Sequence, residues 1–496
     1  MRSGGLVRFG LSGAALALVL AAPAHADTLQ EALTRAYLNN PTLAAARAEQ
    51  RGVDENVAIE KSAGRPGVTA TASYSEFLKQ STTNFSNPER AVSVGSDLTV
   101  PVYSGGAVKN AIRAAEVRVD AGRADLRATE SAIFSQVVAA YMDVLRNQAI
   151  VGLGINQVDV LDVNFQATSD RFEIGDLTRT DVAQSQSRLA LAQGDLRSAQ
   201  ANLIAARETY IQLVGDAPDD LLPPPPLPGL PASVETAVDA ALENNPDLIA
   251  ARERAEAAGF DIDVAGAGRL PRVSLFLGGD YQNFLGTLGG IVEPGGVATP
   301  QTSTAAQAGV QLSIPIFQGG RPAALQRQAQ ARAAGTLEQV IAVERDVIAQ
   351  VRASYSSWQA SLAIIESSQT AVAAAELSLE GVRAENSIGN RTVLEVLNAE
   401  QELLNARVDL VTARRNAYVA GFSLLAAMGR AEARDLGFAD EGLLYDPVVN
   451  YDRVEGQWWD WSRDPDPVVE STSTADIPPA TAQIGPVDEP GNDSIY

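Results

Sequence analysis

The chain carries one unit twice. Asn39-Asn40-Pro41 recurs as Asn244-Asn245-Pro246, and Pro66 and Val68 recur as Pro271 and Val273, all 205 residues apart. Leu98-Thr99-Val100-Pro101-Val102-Tyr103-Ser104-Gly105-Gly106 then recurs as Leu312-Ser313-Ile314-Pro315-Ile316-Phe317-Gln318-Gly319-Gly320, now 214 apart. The second copy therefore has nine more residues in the loop between those points. The offset of 214 holds through Gln136/Gln350, Tyr141/Tyr355, Gly175/Gly389, Thr178/Thr392 and Gly215/Gly429. A duplicated unit of this kind means one supersecondary pattern built twice and packed against itself. The first copy spans 27–217 and the second 233–430, joined by a Pro-rich linker, 218–232. A segment 431–463 follows, then a tail, 464–496, with seven acidic residues and no Lys or Arg, expected to be disordered.

Each copy reads as a short helix, two strands and two very long helices. No proline occurs between Pro101 and Pro218, nor between Pro322 and Pro447, and both windows are rich in Ala, Leu, Gln, Glu and Arg. The stretch from Val108 to Gly175 would be roughly 100 Å long as a single helix. A compact core does not need such a rod, and the many small residues suit closely packed antiparallel hairpins. Gly175 and Gly389 mark the turns.

The strands alternate. Val68, Ala70, Ala72 and Tyr74 interleave with Thr69, Thr71, Ser73 and Ser75; Val92, Val94, Leu98, Val100 and Val102 interleave with Ser93, Gly95, Asp97 and Thr99. In the second copy Val310, Leu312, Ile314 and Ile316 alternate with Gln311, Ser313 and Pro315. One apolar and one polar face suits a barrel wall between lipid and water. Tyr74, Phe77, Tyr103, Phe276, Tyr281, Phe284 and Phe317 lie toward strand ends, where an aromatic girdle sits. Four strands cannot enclose a lumen, because single-chain barrels start at about eight. Three chains would supply twelve.

Composition narrows the function. There is no Cys, and the one His is His25. Arg2 and Arg8, the apolar run Leu11 to Ala22 and Ala24-His25-Ala26 read as a secretory signal, 1–26, so the mature chain would have neither residue. That removes disulfides, a Ser-His-Asp triad and ordinary zinc sites. Cleavage would take Arg2 and Arg8 and move the formal charge from −23 to −25, which opposes nucleic-acid binding. No Walker A motif is present, and Gly286–Gly296 reads as a long external loop instead of a phosphate cradle. No cofactor is expected. The balance favours a structural or transport protein over an enzyme. Trp458, Trp459 and Trp461 either anchor at a membrane interface or pack on a neighbour, with packing in a periplasmic collar (431–463) the favoured reading.

Taken together, the strand-strand-long-hairpin duplication, the two Pro-x-aromatic-x-Gly-Gly strand exits and the two tips resemble the TolC family of outer-membrane efflux and secretion ducts. The tips read Arg171 to Val182 and Asn386 to Asn398. The resemblance covers about 28–430. It implies a mainly α fold with membrane β-structure: a homotrimer forming a 12-stranded outer-membrane barrel, continued by an α-helical periplasmic barrel. It also implies a periplasmic adaptor and an inner-membrane pump or ABC transporter as partners. At the tip it implies a latch of Arg391 to Thr180 and Asp181, and a constriction at Glu395 and Asn398. Asn386 stands where the family's best-known pattern has a Tyr, and Asn398 replaces one of two Asp, leaving Glu395 as the single acidic ring. Arg171, Gly175, Leu177, Ile388, Gly389 and Val393 are the implied adaptor contacts. The acidic tail and its Trp-rich stretch look more like the protein-secretion branch. The competing readings are a trimeric periplasmic stalk without a channel and an acid-catalysed periplasmic hydrolase.

Overall fold

The computed structural model describes residues 27–80, 88–289, 300–438 and 442–484. The signal segment, part of the Gly-rich loop and the end of the tail lie outside the described residues. The first copy consists of helices α1 (Leu29–Asn39) and α2 (Pro41–Ser62), strands β1 (Gly67–Glu76) and β2 (Arg90–Tyr103), and helices α3 (Ala107–Glu173) and α4 (Arg179–Val214). The second has α5 (Val234–Asn244), α6 (Pro246–Gly266), β3 (Arg272–Asn283), β4 (Thr302–Ser313), α7 (Arg321–Ser387) and α8 (Val393–Ala427). A short α9 (Pro447–Glu455) follows.

The single short helix expected at the start of each copy is two helices, broken at the repeated Asn-Asn-Pro. Proline has no N–H to give and is tolerated only in a helix's first turn, so it starts a new helix. The preceding Asn supplies the cap. Asn40 accepts from the Thr42 and Leu43 N–H groups at 2.9 and 3.4 Å, and Asn245 accepts from Leu248 at 3.1 Å. Each Asn also reaches across the fold: Asn40 Nδ2 donates to Leu213 O and Asn245 Nδ2 to Ala427 O, both at 3.0 Å. Those carbonyls belong to the last turns of α4 and α8, which have no acceptor-satisfying partner of their own. One side chain thus starts one helix and ends another. Gly215 and Gly429 close α4 and α8 with positive φ. At Gly429 a Cβ would lie 2.3 Å from Asn244 O, so the helix end and the Asn-Asn-Pro corner fit only around glycine.

The strands form one antiparallel sheet in the order β1-β2-β3-β4. Its register gathers the apolar residues into rows on one face: Val68, Leu98, Leu277 and Ala308 in one, Val100, Leu275 and Val310 in the next. The opposite face carries Thr69, Asp97, Gly278 and Gln307 side by side. A bulge between Pro101 and Tyr103 brings Tyr103 opposite Val273, on the apolar side. Phe276 does not belong to the girdle. It pairs with Thr99 and Gly309, between outward Leu275 and Leu277, and covers Gly309 on the polar face. Ile314 and Ile316 lie beyond β4, which stops before Pro315. Among the described residues no helix is long and apolar enough to cross a membrane.

The main core lies where α1, α3, α4, the linker and residues 431–438 converge. Tyr37, Phe134 and Phe438 pack with ring centroids 5.7–6.0 Å apart. Buried Glu432 ties the segment after α8 to α3 through Arg127 at 2.8 Å. The tail expected to be disordered is placed as far as residue 484. Ala480 N–H donates to Glu208 Oε1 at 2.8 Å, Arg207 bonds to Thr481 O, and Ile484 packs on the main core.

Two equal-length helices differ in burial. Both α3 and α7 have 67 residues. Residues of α3 are buried from Ala114 to Thr168, whereas α7 buries only Ala333, Val347, Val351, Ile365, Ser368, Ala375 and Leu379. Leu337, Ile341, Ile364 and Leu377 of α7 are exposed.

Asn40→Ala and Asn245→Ala should each destabilise the chain by about 1–2 kcal/mol, through loss of a cap and an unpaired carbonyl. Gly429→Ala should cost more, because backbone must move. Thermal unfolding in detergent followed by circular dichroism reads this; unchanged midpoints would show the corners to be incidental.

Candidate functional site at the hairpin tips

Both long hairpins turn by the same local code. Helix α3 ends at Glu173 and α7 at Ser387, and Gly175 and Gly389 follow with φ of 84° and 81°. The next helices start with capping boxes. Thr178 accepts from Asp181 N–H while Asp181 Oδ2 accepts from Thr178 N–H at 2.9 Å. Thr392 and Glu395 repeat this, with Thr392 N–H donating to Glu395 Oε2 at 2.8 Å. Asp181 and Glu395 are thus the same position in the two copies. The Thr-x-x-acid spacing in both tips was the signal for it.

The second tip adds one strong element. Arg391 Nε donates to Glu385 Oε2 at 2.7 Å, and Nη1 to Glu395 Oε1 at 2.6 Å. Asn386 Nδ2 donates to the Arg391 carbonyl at 2.7 Å. The capping bond from Thr392 N–H and the Arg391 guanidinium hold the Glu395 carboxyl down at about 2, and Glu385 and Glu395 push Arg391 further above its usual value. Within one chain, Arg391 is therefore not brought to Thr180 and Asp181. It is bound to its own tip, and Asp181 is engaged by Thr178, with exposed Thr180 beside it in the first turn of α4.

Asn398 does meet the other hairpin: Arg188 Nη2 of α4 donates to its Oδ1 at 2.7 Å. Below this contact Leu161, Leu189 and Leu397 form a small core that joins the two hairpins. An open cleft of about 460 Å³ lies nearby, lined by Asp159, Val163 and Asn164 of α3 and by Arg383, Asn386 and Val396.

The six residues read as adaptor contacts divide. Val393 is half-buried against the Leu161 core, and Leu177 is half-buried as well. Arg171 is held by Asp176, Nε to Oδ2 at 2.7 Å. Gly175 and Gly389 shape the turns. Ile388 stands out at 72% exposed, and its equivalent Ile174, which sequence reading passed over, is 80% exposed. The 214-residue offset points to Ile174 directly.

Comparison with known proteins places this geometry. A profile of the outer membrane efflux protein family matches residues 32–216 and 237–430. The outer membrane efflux protein BepC of Brucella suis biovar 1 is 34% identical over 436 residues, covering 88% of this chain and 92% of its own. The alkaline protease secretion protein AprF of Pseudomonas aeruginosa is 30% identical over 318 residues, 62% of this chain and 64% of its own. The solved outer membrane protein VceC of Vibrio cholerae superposes with a TM-score of 0.68 at 24% identity, over 81% of this chain and 96% of its own.

The depressed Glu395 fixes a pH dependence. Its folded value lies below that of an unfolded glutamate, so its stabilisation of the first turn of α8 is fully present above about 4.3 and is lost as pH falls through about 2. Pepsin nicking near Leu394 should therefore rise steeply between pH 4 and pH 2 relative to the Glu395→Gln variant, whose nicking should be high and level. Equal profiles would remove Glu395 from the account.

Proposed function

Because this chain belongs to the outer membrane efflux protein family, we propose that three copies close into one outer-membrane channel. It serves as the passive exit duct for an energised inner-membrane pump, joined through a periplasmic adaptor. The observation that carries this is the unfinished wall of the single chain. The sheet ends at β1 and β4 with no strand beyond them among the described residues, and α7, which follows β4, leaves Leu337, Ile341, Ile364 and Leu377 exposed. Contacts run in the order α2–α3–α6–α7, matching β1–β2–β3–β4, so sheet and helices end at common edges. Joining β4 and α7 of one copy to β1 and α2 of the next closes both layers at once. Open edges and exposed apolar flanks are costly until paired.

The tips form the closable end of this duct. Arg391 holds two carboxylates on its own tip, and Thr180 and Asp181 of a neighbouring copy compete for it in the closed trimer. Such exchange among charge-assisted bonds keeps a latch strong but reversible. Exposed Ile174 and Ile388 at equivalent points offer the adaptor a matched pair of apolar contacts. Similarity spans nearly all of the efflux protein BepC and a smaller part of the protease-secretion protein AprF, which supports a role in efflux over one in protein secretion.

Light scattering of the detergent-purified protein should give three times the chain mass, and a monomer would defeat the proposal. Arg391→Ser should raise single-channel conductance and cation preference in planar bilayers, as Glu385 and Glu395 lose their counter-charge. Conductance equal to the unaltered protein would count against the latch.

A further inference from the structure

The segment after the second copy makes an excursion that nothing in the duct requires. Helix α9 runs alongside α2 toward the sheet. Asn450 donates to Asp54 at 2.7 Å, Glu455 pairs with Lys61 at 3.0 Å, and Arg65 then bonds to Gln457 O. Tyr451 seats α9 against Val57 of α2 and Ala115 and Val119 of α3, on the face of the helical layer and not at its open edge. Past this point the chain turns, Ser462 N–H donating to Trp459 O at 3.1 Å, and goes back: Asp464 bonds to Arg453 at 2.8 Å, and Ala480 meets Glu208 on α4. The apex of the excursion is Trp458, Trp459 and Trp461.

The apex reaches the base of the membrane sheet. The Arg65 guanidinium lies 4.8 Å from the Trp458 ring, and β1 begins two residues later at Gly67. The same end of the sheet holds Tyr103 on its apolar face and, just past β4, exposed Phe317. The three Trp side chains are 64%, 71% and 84% exposed, so they do not pack into the collar of their own chain. A polypeptide that climbs α2 and returns gains nothing by presenting three indoles to water. Indoles are enriched at the level of lipid headgroups, where an apolar ring and a polar N–H are both accommodated.

We propose that residues 458–461 are an interfacial anchor, with Trp458, Trp459 and Trp461 seated at the headgroup–acyl boundary of the periplasmic leaflet of the outer membrane. The anchor continues the lipid-facing surface of the strands below their ends, and the Arg65 guanidinium beside Trp458 offers a positive charge to headgroup phosphates. It fixes how deep the barrel sits and couples that depth to α2 and α9.

Bound lipid can be read directly. The full-length protein is reconstituted in phosphatidylethanolamine–phosphatidylglycerol vesicles whose acyl chains are brominated, with unbrominated vesicles as reference and co-sedimentation confirming insertion. The fourth tryptophan, Trp358, packs against Tyr355 on α7, about 55 Å along the helix from the sheet, and serves as an internal control. Emission of the unaltered protein should fall by about half or more in brominated vesicles. The W458F/W459F/W461F variant should show no change. If emission of the inserted unaltered protein is insensitive to bromine, the anchor is overturned, whether the indoles prove open to aqueous iodide or are shielded by a neighbouring copy. This last measurement needs no variant.

Discussion

A four-stranded antiparallel sheet with apolar rows on one face and polar rows on the other has no stable life alone. Its outer strands leave ladder groups unpaired, and its two faces call for different solvents. Every larger feature of this chain answers that condition. The long helices run on from the strand ends, so whatever closes the strands also arrays the helices. The shared order of α2, α3, α6 and α7 beneath β1 to β4 carries the sheet's unfinished edges down into the helical layer. Leucines and isoleucines of α7, the helix that follows β4, are left exposed in the single chain.

Duplication supplies the parts cheaply but not identically. The Asn-Asn-Pro corner, the Gly-Gly entry to each long helix, the positive-φ glycine at each tip and the Thr-x-x-acid cap occur twice with the same geometry. Surroundings then separate the copies. Helix α3 sits between neighbours and is buried along its length, while α7 has one free flank. Arg171 pairs with Asp176 in the first tip. In the second, the residue equivalent to Arg171 is Glu385, and Arg391 gathers Glu385 and Glu395 into one cluster. One local code therefore yields a simple turn in the first copy and a charged knot in the second.

The hairpins, the alternation of the strands and the tips were legible because each rests on local rules: the absence of proline, period two, and glycine where φ is positive. Phe276 was misplaced by looking at its distance from the strand end instead of its parity, which sets it opposite to Leu275 and Leu277. The break at Asn40 was readable too, since a proline after Asn is a helix start, but a single helix was assumed. The tail could not be read. Its composition predicts disorder, yet the described part, up to residue 484, meets Glu208, Arg207 and the main core through contacts about 270 residues away in sequence. Within one chain Arg391 and Asp181 are each engaged on their own tip.

Short-range chemistry decided where each rod begins, turns and ends, and which face of each strand is apolar, because capping, steric freedom of glycine and side-chain alternation act over four residues or fewer. Long-range packing decided the rest. Which of two equal helices keeps a bare flank, which carboxylate a guanidinium reaches, and how far three tryptophans are lifted along α2 all depend on surfaces brought together from distant parts of the chain, and no local pattern encodes those distances.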